Sequence, residues 1–131
     1  MHRGLSSLLW LATLLLSAGC VCENSEISSL SNVTGEFRAV LFERSCGATT
    51  SFSTQVSVLR AGRSLPNEAG NVFVSDDDSG AAQAAEWGGP YASIDWAGER
   101  TLVIAFDRNA EVYKSVEELA GVTVMYRPVS R

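Results

Sequence analysis

Histidine is nearly missing from this chain. Of its 131 residues only His2 carries an imidazole, and Lys114 is the only lysine. His2 sits in a segment that reads as a removable leader, which leaves the mature chain with no imidazole. That excludes Ser-His-Asp and Cys-His nucleophilic sites, where a ring nitrogen must take the nucleophile's proton. It also removes most zinc sites, because the few cysteines cannot complete a ligand set. Ser-Lys chemistry fails as well, since Glu111 stands three residues before Lys114 where the nucleophile is wanted. Basic residues are scarce overall. The net charge is −5, or −6 without Arg3, and the pI is about 4.8. No nucleic-acid footprint follows from such a balance, and no basic amphipathic helix offers itself to a membrane surface. A glycine-rich phosphate loop is absent too, and no cofactor is implied.

Long apolar runs are also absent, with one exception. His2 and Arg3 precede Leu8 to Leu16, and the small residues Ser17, Ala18 and Gly19 follow. This order is that of a secretory signal peptide over residues 1–19. The apolar stretch is shorter than the ~20 residues of a spanning helix. Ser17-Ala18-Gly19-Cys20 resembles the bacterial lipobox, in which the cysteine is lipidated and becomes the first mature residue. Leu16 lies four residues before Cys20, one further than the box usually has it. The resemblance implies an exported lipoprotein, with Val21 suiting outer-membrane delivery. Simple cleavage and release is the alternative.

Three cysteines, Cys20, Cys22 and Cys46, make an odd number for an oxidising compartment. A lipid on Cys20 leaves Cys22 and Cys46 as an even pair. A bridge between them closes a loop of about 25 residues, worth roughly 3.5 kcal/mol on the chain-entropy account. The other reading leaves two thiols, with Cys46 buried as a small apolar residue.

Residues 20–34 are rich in Ser and Asn, and read as a flexible tether. Asn32-Val33-Thr34 is a glycosylation sequon in form only. From residue 35 to 131 the signals are those of one all-β domain. Glu36–Arg44 is apolar at its centre, Ser53–Arg60 alternates, and Asn71–Ser75 is short. Tyr91–Ala97 and Arg100–Asp107 flank Gly98-Glu99, a hairpin signal that aligns Ile94 and Trp96 with Leu102, Ile104 and Phe106. Glu111–Lys114 and Gly121–Arg127 complete about six or seven short strands, predicting a small antiparallel sandwich or partly open barrel. Helix is limited to one or two turns, at Ala81–Trp87 and Ser115–Leu119.

Several residue groups are candidates for a site. Thr49, Thr50, Ser51, Ser53, Thr54 and Gln55 form a polar run that either lines a site or is a strand's solvent face. Trp87, Tyr91 and Trp96 surround Gly88-Gly89-Pro90. They serve either as a platform for sugar or peptide, or as packing at the domain rim. Glu86, Asp95, Glu99 and Asp107 leave a carboxylate-pair hydrolase open, because such pairs are set by separation in space. Asp76-Asp77-Asp78-Ser79-Gly80 departs from a calcium loop at Gly80, where a ligand is wanted, and at Trp87, where the closing Glu belongs.

Phe42 to Val58 (FERSCGATTSFSTQVSV) resembles a group of small bacterial proteins of unknown function, many with lipoprotein-type signals. They share a C-G-A-T-T-x-F-S-T-Q-V-S segment. Gly70 to Val74 is similar to a second block of that group, while Ser45 stands where Asp is expected. The resemblance implies a recurring module around Cys46 and brings no activity with it. The expectation is therefore a non-enzymatic envelope lipoprotein that binds an envelope protein or cell-wall component. A periplasmic inhibitor of a cationic wall-degrading enzyme is the alternative.

Overall fold

Two runs of alternating and apolar residues build the middle of the first sheet. In a computed structural model, which describes residues 21–47 and 52–131, β2 (Phe37–Ser45) pairs antiparallel with β3 (Ser53–Arg60). The register sets Ala39 opposite Val58 and Leu41 opposite Val56. These four face inward, as side chains alternate across a strand. β1 (Glu23–Ser31), β4 (Phe73–Asp76) and β7 (Glu111–Ser115) complete a five-stranded sheet of order β1-β2-β3-β4-β7.

The second sheet has the order β5-β6-β9-β8, from β5 (Ala92–Gly98), β6 (Thr101–Asp107), β9 (Val122–Val129) and β8 (Glu118–Leu119). Between the sheets lies one core. Phe37, Ala39, Leu41, Val56, Val58 and Phe73 come from one side, and Ala92, Ile94, Leu102, Ile104, Val122 and Val124 from the other. Burying each Leu, Ile, Val or Phe contributes about 1.5–3 kcal/mol. Tyr126 stacks on Phe73 at 5.9 Å and Phe106 tilts against it at 5.6 Å. The domain is all-β, a small sandwich not closed into a barrel.

Four expectations need correction. Glu23–Ser31 is no tether. It is the edge strand β1, paired with β2 along its length except for a bulge between Glu26 and Ser28. Its apolar residues are too few to announce a strand, yet an edge strand needs only a partner for its backbone. Among the described residues no helix forms. Ser115–Leu119 divides between β7 and β8, and the alanines of 81–87 lie in turns closed by an Ala84–Pro90 bridge. The β5–β6 hairpin turns on Glu99-Arg100, not Gly98-Glu99, because Gly98 pairs with Thr101 and Ala97 bulges out. Finally, β6 and β9 run parallel. The chain leaves β6, joins the opposite sheet as β7, and returns through β8, the kind of crossover a parallel pair requires.

Residues 1–19, which read in sequence as a signal peptide, lie outside the described residues, as do Cys20, Thr49, Thr50 and Ser51.

Candidate functional site

The outer face of the first sheet carries the most polar chemistry in the fold. Arg38, Val40, Phe42 and Arg44 alternate with the inward residues of β2. Asn24, Glu26, Gln55 and Ser57 share their face by register. Val40 and Phe42 are fully buried although they point away from the core. A third layer covers this face: residues 61–72, here termed the strap, cross it and are fastened at both ends.

At the strap's far end, Asn24 Nδ2 donates to Pro66 O (3.0 Å) and Glu68 O (2.8 Å). Asn67 Nδ2 donates to Cys22 O at 2.9 Å. Arg44 reaches both asparagines, donating to Asn24 Oδ1 at 2.8 Å and Asn67 Oδ1 at 3.0 Å. Arg38 donates to Arg63 O at 2.8 Å, and pairs with Glu26 at 2.6 Å. At the near end, Gly70 N donates to Gln55 Oε1 at 2.7 Å, and Lys114 Nζ donates to Gly70 O at 2.9 Å. Asn71 finishes the job that β4 is too short to do. Its Oδ1 accepts from Val58 N and its Nδ2 donates to Val58 O, both at 2.8 Å, so a side chain stands in for a neighbouring strand.

Beside the strap lies a cleft of about 480 Å³, lined by Glu23, Asn24, Glu26, Arg38, Ser64, Leu65 and Asn67. Arg38, Asn24 and Asn67 are already engaged across it. Ser64 and Glu23 present polar groups at its rim, and half-buried Leu65 supplies an apolar patch. Arg60, Arg63 and Pro66 border a second, smaller hollow of about 300 Å³.

The sequence-derived candidates do not converge on one surface. Ser53 and Gln55 belong to the outer face, where Ser53 Oγ accepts from Gln55 Nε2 at 2.6 Å. Thr54 points the other way and is fully buried. It donates to Pro90 O at 2.6 Å and accepts from Trp87 Nε1 at 2.9 Å, pinning the 77–91 loop to β3. Gly89 leaves room for this, since a Cβ there would stand 2.6 Å from Thr54 Oγ1. Tyr91 is half-buried under the Arg131 guanidinium, 3.8 Å from the ring centre. Trp96 donates to Leu30 O at 3.0 Å and so ties β5 to the edge strand. Thr54→Val leaves the Trp87 N–H and the Pro90 carbonyl without partners. It should lower unfolding stability by about 2 kcal/mol, the usual cost of an unmet buried polar group. Denaturant titration followed by tryptophan fluorescence measures this, and an unchanged midpoint would refute the pinning role.

The carboxylates are dispersed. Asp107 is buried, and its Oδ1 accepts from Asn109 N at 2.8 Å within the turn after β6. Glu99 occupies the turn at the opposite end of the β5–β6 hairpin. Asp95 is exposed in mid-strand and Glu86 in the 77–91 loop. Asp76 accepts from Asp78 N (2.8 Å) and from the Tyr113 hydroxyl (2.7 Å). Among the described residues, no three His, Cys, Asp or Glu side chains gather as a metal site. Asn32 is buried with its amide committed, accepting from Phe37 N (3.0 Å) and donating to Glu99 O (2.8 Å). The sequon therefore serves the turn.

Among the described residues, Tyr126 is a partly buried acid with a displaced titration. Its hydroxyl lies 2.8 Å from Val72 O and 2.7 Å from Val116 O, bridging the two sheets. Burial first, and then the nearby Glu117 charge, push it up from 10.0 to about 12. The folded state thus holds a proton that the unfolded chain releases near pH 10. The stability this contributes is complete below that pH and is lost as pH rises toward 12. Exposed Tyr113 is raised as well, chiefly by its bond to Asp76. Comparing Tyr126→Phe with the parent therefore isolates the buried hydroxyl. Thermal melts across this range should fall less steeply with pH for the variant; parallel curves would exclude the linkage.

The residues that organise this surface were the hardest to find from sequence. Asn24, Asn67, Gly70 and Asn71 sit in stretches whose composition signals tether or loop, and only Gly70 and Asn71 fall in a block, Gly70 to Val74, singled out by the resemblance. Comparisons with protein-family models, with curated proteins and with solved structures find no match.

Proposed function

We propose that this chain is an exported, non-enzymatic binding module of the cell envelope. Its β sandwich is tethered through a lipid on Cys20 and meets an envelope protein or cell-wall component. The Cys22–Cys46 bridge is the observation that carries the reading. It pairs two of the three cysteines, leaves Cys20 as the odd one, and suits an oxidising compartment. It also gives the export-type leader and the lipobox-like run a folded domain that begins only a few residues beyond them. A tether at Cys20 would join the domain at the β1 end of the cleft, and the cleft is the surface that best supports contact with a partner. The motif around Cys46, which resembles small bacterial lipoprotein-like chains, fits the same picture. Its polar residues Thr54 and Gln55 serve to hold loops.

The intact mass of the protein from its native envelope, with and without reductant, tests the reading. The expected result is a mass for lipidated Cys20 that gains one hydrogen on each of Cys22 and Cys46 upon reduction. An unlipidated mass in a soluble fraction would remove the tether.

A further inference from the structure

The bridge closes the open end of the β1–β2 hairpin, one position beyond the Glu23–Ser45 pair. β1 is an edge strand with a partner on one side only, and its bulge divides it into two halves. The half after the bulge has fastenings of its own. Leu30 O accepts from Trp96 at 3.0 Å, and Ser29 Oγ accepts from Arg38 at 3.0 Å. The half before the bulge carries part of the strap's far end, through Asn24 and Cys22 O, while Arg44 and Arg38 of β2 hold Asn67 and Arg63 O. The strap's near end hangs elsewhere, on Gln55, Ser57, Val58 and Lys114. Residues 66–68 of the strap therefore hang in part on backbone and side-chain groups that the bridge holds in place. Residues 61–69 bury little of their own, with only Leu65 half-covered, so few apolar contacts resist release.

The geometry points to a thiol–disulfide switch. Reduction of Cys22–Cys46 frees the first half of β1 and lets residues 63–68 lift from the outer face, while the sandwich stays folded. The reductant is a dithiol, either a small molecule or an oxidoreductase. One of its thiolates attacks a bridge sulfur, and the S–S bond breaks to give a mixed disulfide and a free cysteine thiolate. The second reductant thiol then displaces the other cysteine. Two electrons and two protons end on Cys22 and Cys46, and the reductant leaves as its own disulfide. Lifting the strap opens the cleft and takes Ser64, Leu65 and Asn67 away from Glu23, Asn24, Glu26 and Arg38. The two redox states present different surfaces. This switch stands on the fold alone, independently of the tethered binding role.

Amide hydrogen exchange of the full chain, oxidised and after dithiothreitol, tests it. Peptides covering 23–26 and 63–68 should exchange about tenfold faster or more on reduction, the factor that loss of one or two ordinary hydrogen bonds gives. Peptides covering 54–58 and 102–106 should keep their rates. Asn67→Ala with the bridge intact should speed 63–68 and leave 54–58 unchanged, a result that does not depend on the reduced chain folding. Unaltered exchange of 63–68 in either experiment would overturn the switch. Equal acceleration in every strand on reduction would do so too, because it would mean global unfolding in place of local release.

Discussion

Gly70→Ala is expected to destabilise the domain by about 3 kcal/mol, near the upper end of what overpacking alone costs. A Cβ at this position would stand 2.5 Å from Phe73 O and 2.7 Å from Val56 O. Both are backbone atoms of the sheet and cannot turn aside as a side chain would. Moving Gly70 away relieves the clash, but it breaks the bonds from Gly70 N to Gln55 and from Lys114 to Gly70 O. The methyl group therefore costs either sheet distortion or the latch. Urea unfolding should show a lower midpoint with an unchanged slope. Gly98→Ala is the control, since nothing lies within 4 Å of its Cβ and no left-handed backbone is required. It should stay within about 0.5 kcal/mol of the parent, as surface changes usually do. Equal midpoints for the two variants would show that Gly70 is not a point of close approach.

Replacing both Cys22 and Cys46 with alanine should cost about 3 kcal/mol, close to the loop-entropy value for a closed ring of roughly 25 residues. The bridge constrains the unfolded chain more than it adds contacts to the folded one. Reductant should therefore lower the parent's melting temperature and leave the double variant's unmoved. A parent whose melt ignores reductant would rule out any stabilising role. This measurement reads the whole domain, whereas exchange at residues 63–68 reads one segment of it.

Sequence alone reached the sandwich because its inner strands follow a simple rule. Val56 and Val58 alternate with Gln55 and Ser57, and Ile94, Leu102 and Ile104 lie on the core side where the hairpin reading put them, although the turn itself falls one residue later. The cysteine count led to the bridge that the fold contains. β1 was illegible for a physical reason. Its stability comes from backbone pairing with β2 and from Trp96, and neither leaves a mark in a Ser-rich run. The strap was illegible for a related reason. Its fastenings are asparagine and arginine side chains bonding to carbonyls more than 20 residues away, and loop composition looks the same with or without them. The Thr54–Gln55 run posed a different problem. Its polarity suggested solvent or ligand, but both residues are buried because loops from opposite sides close over them. Polar residues that hold loops and polar residues that hold ligands have the same composition, and only their placement in the fold separates them.

The parallel pairing of β6 and β9 bears on the order of assembly. β9 is the last strand of the domain in chain order, yet it lies inside its sheet, between β6 and β8. Until it leaves the ribosome, β6 has one neighbour, β8 has none, and Leu102 and Ile104 lack part of the surface that buries them. No nascent chain can therefore complete this domain early. The domain stays open to threading or capture until β9 is made, and then closes through contacts distant in sequence, which form slowly.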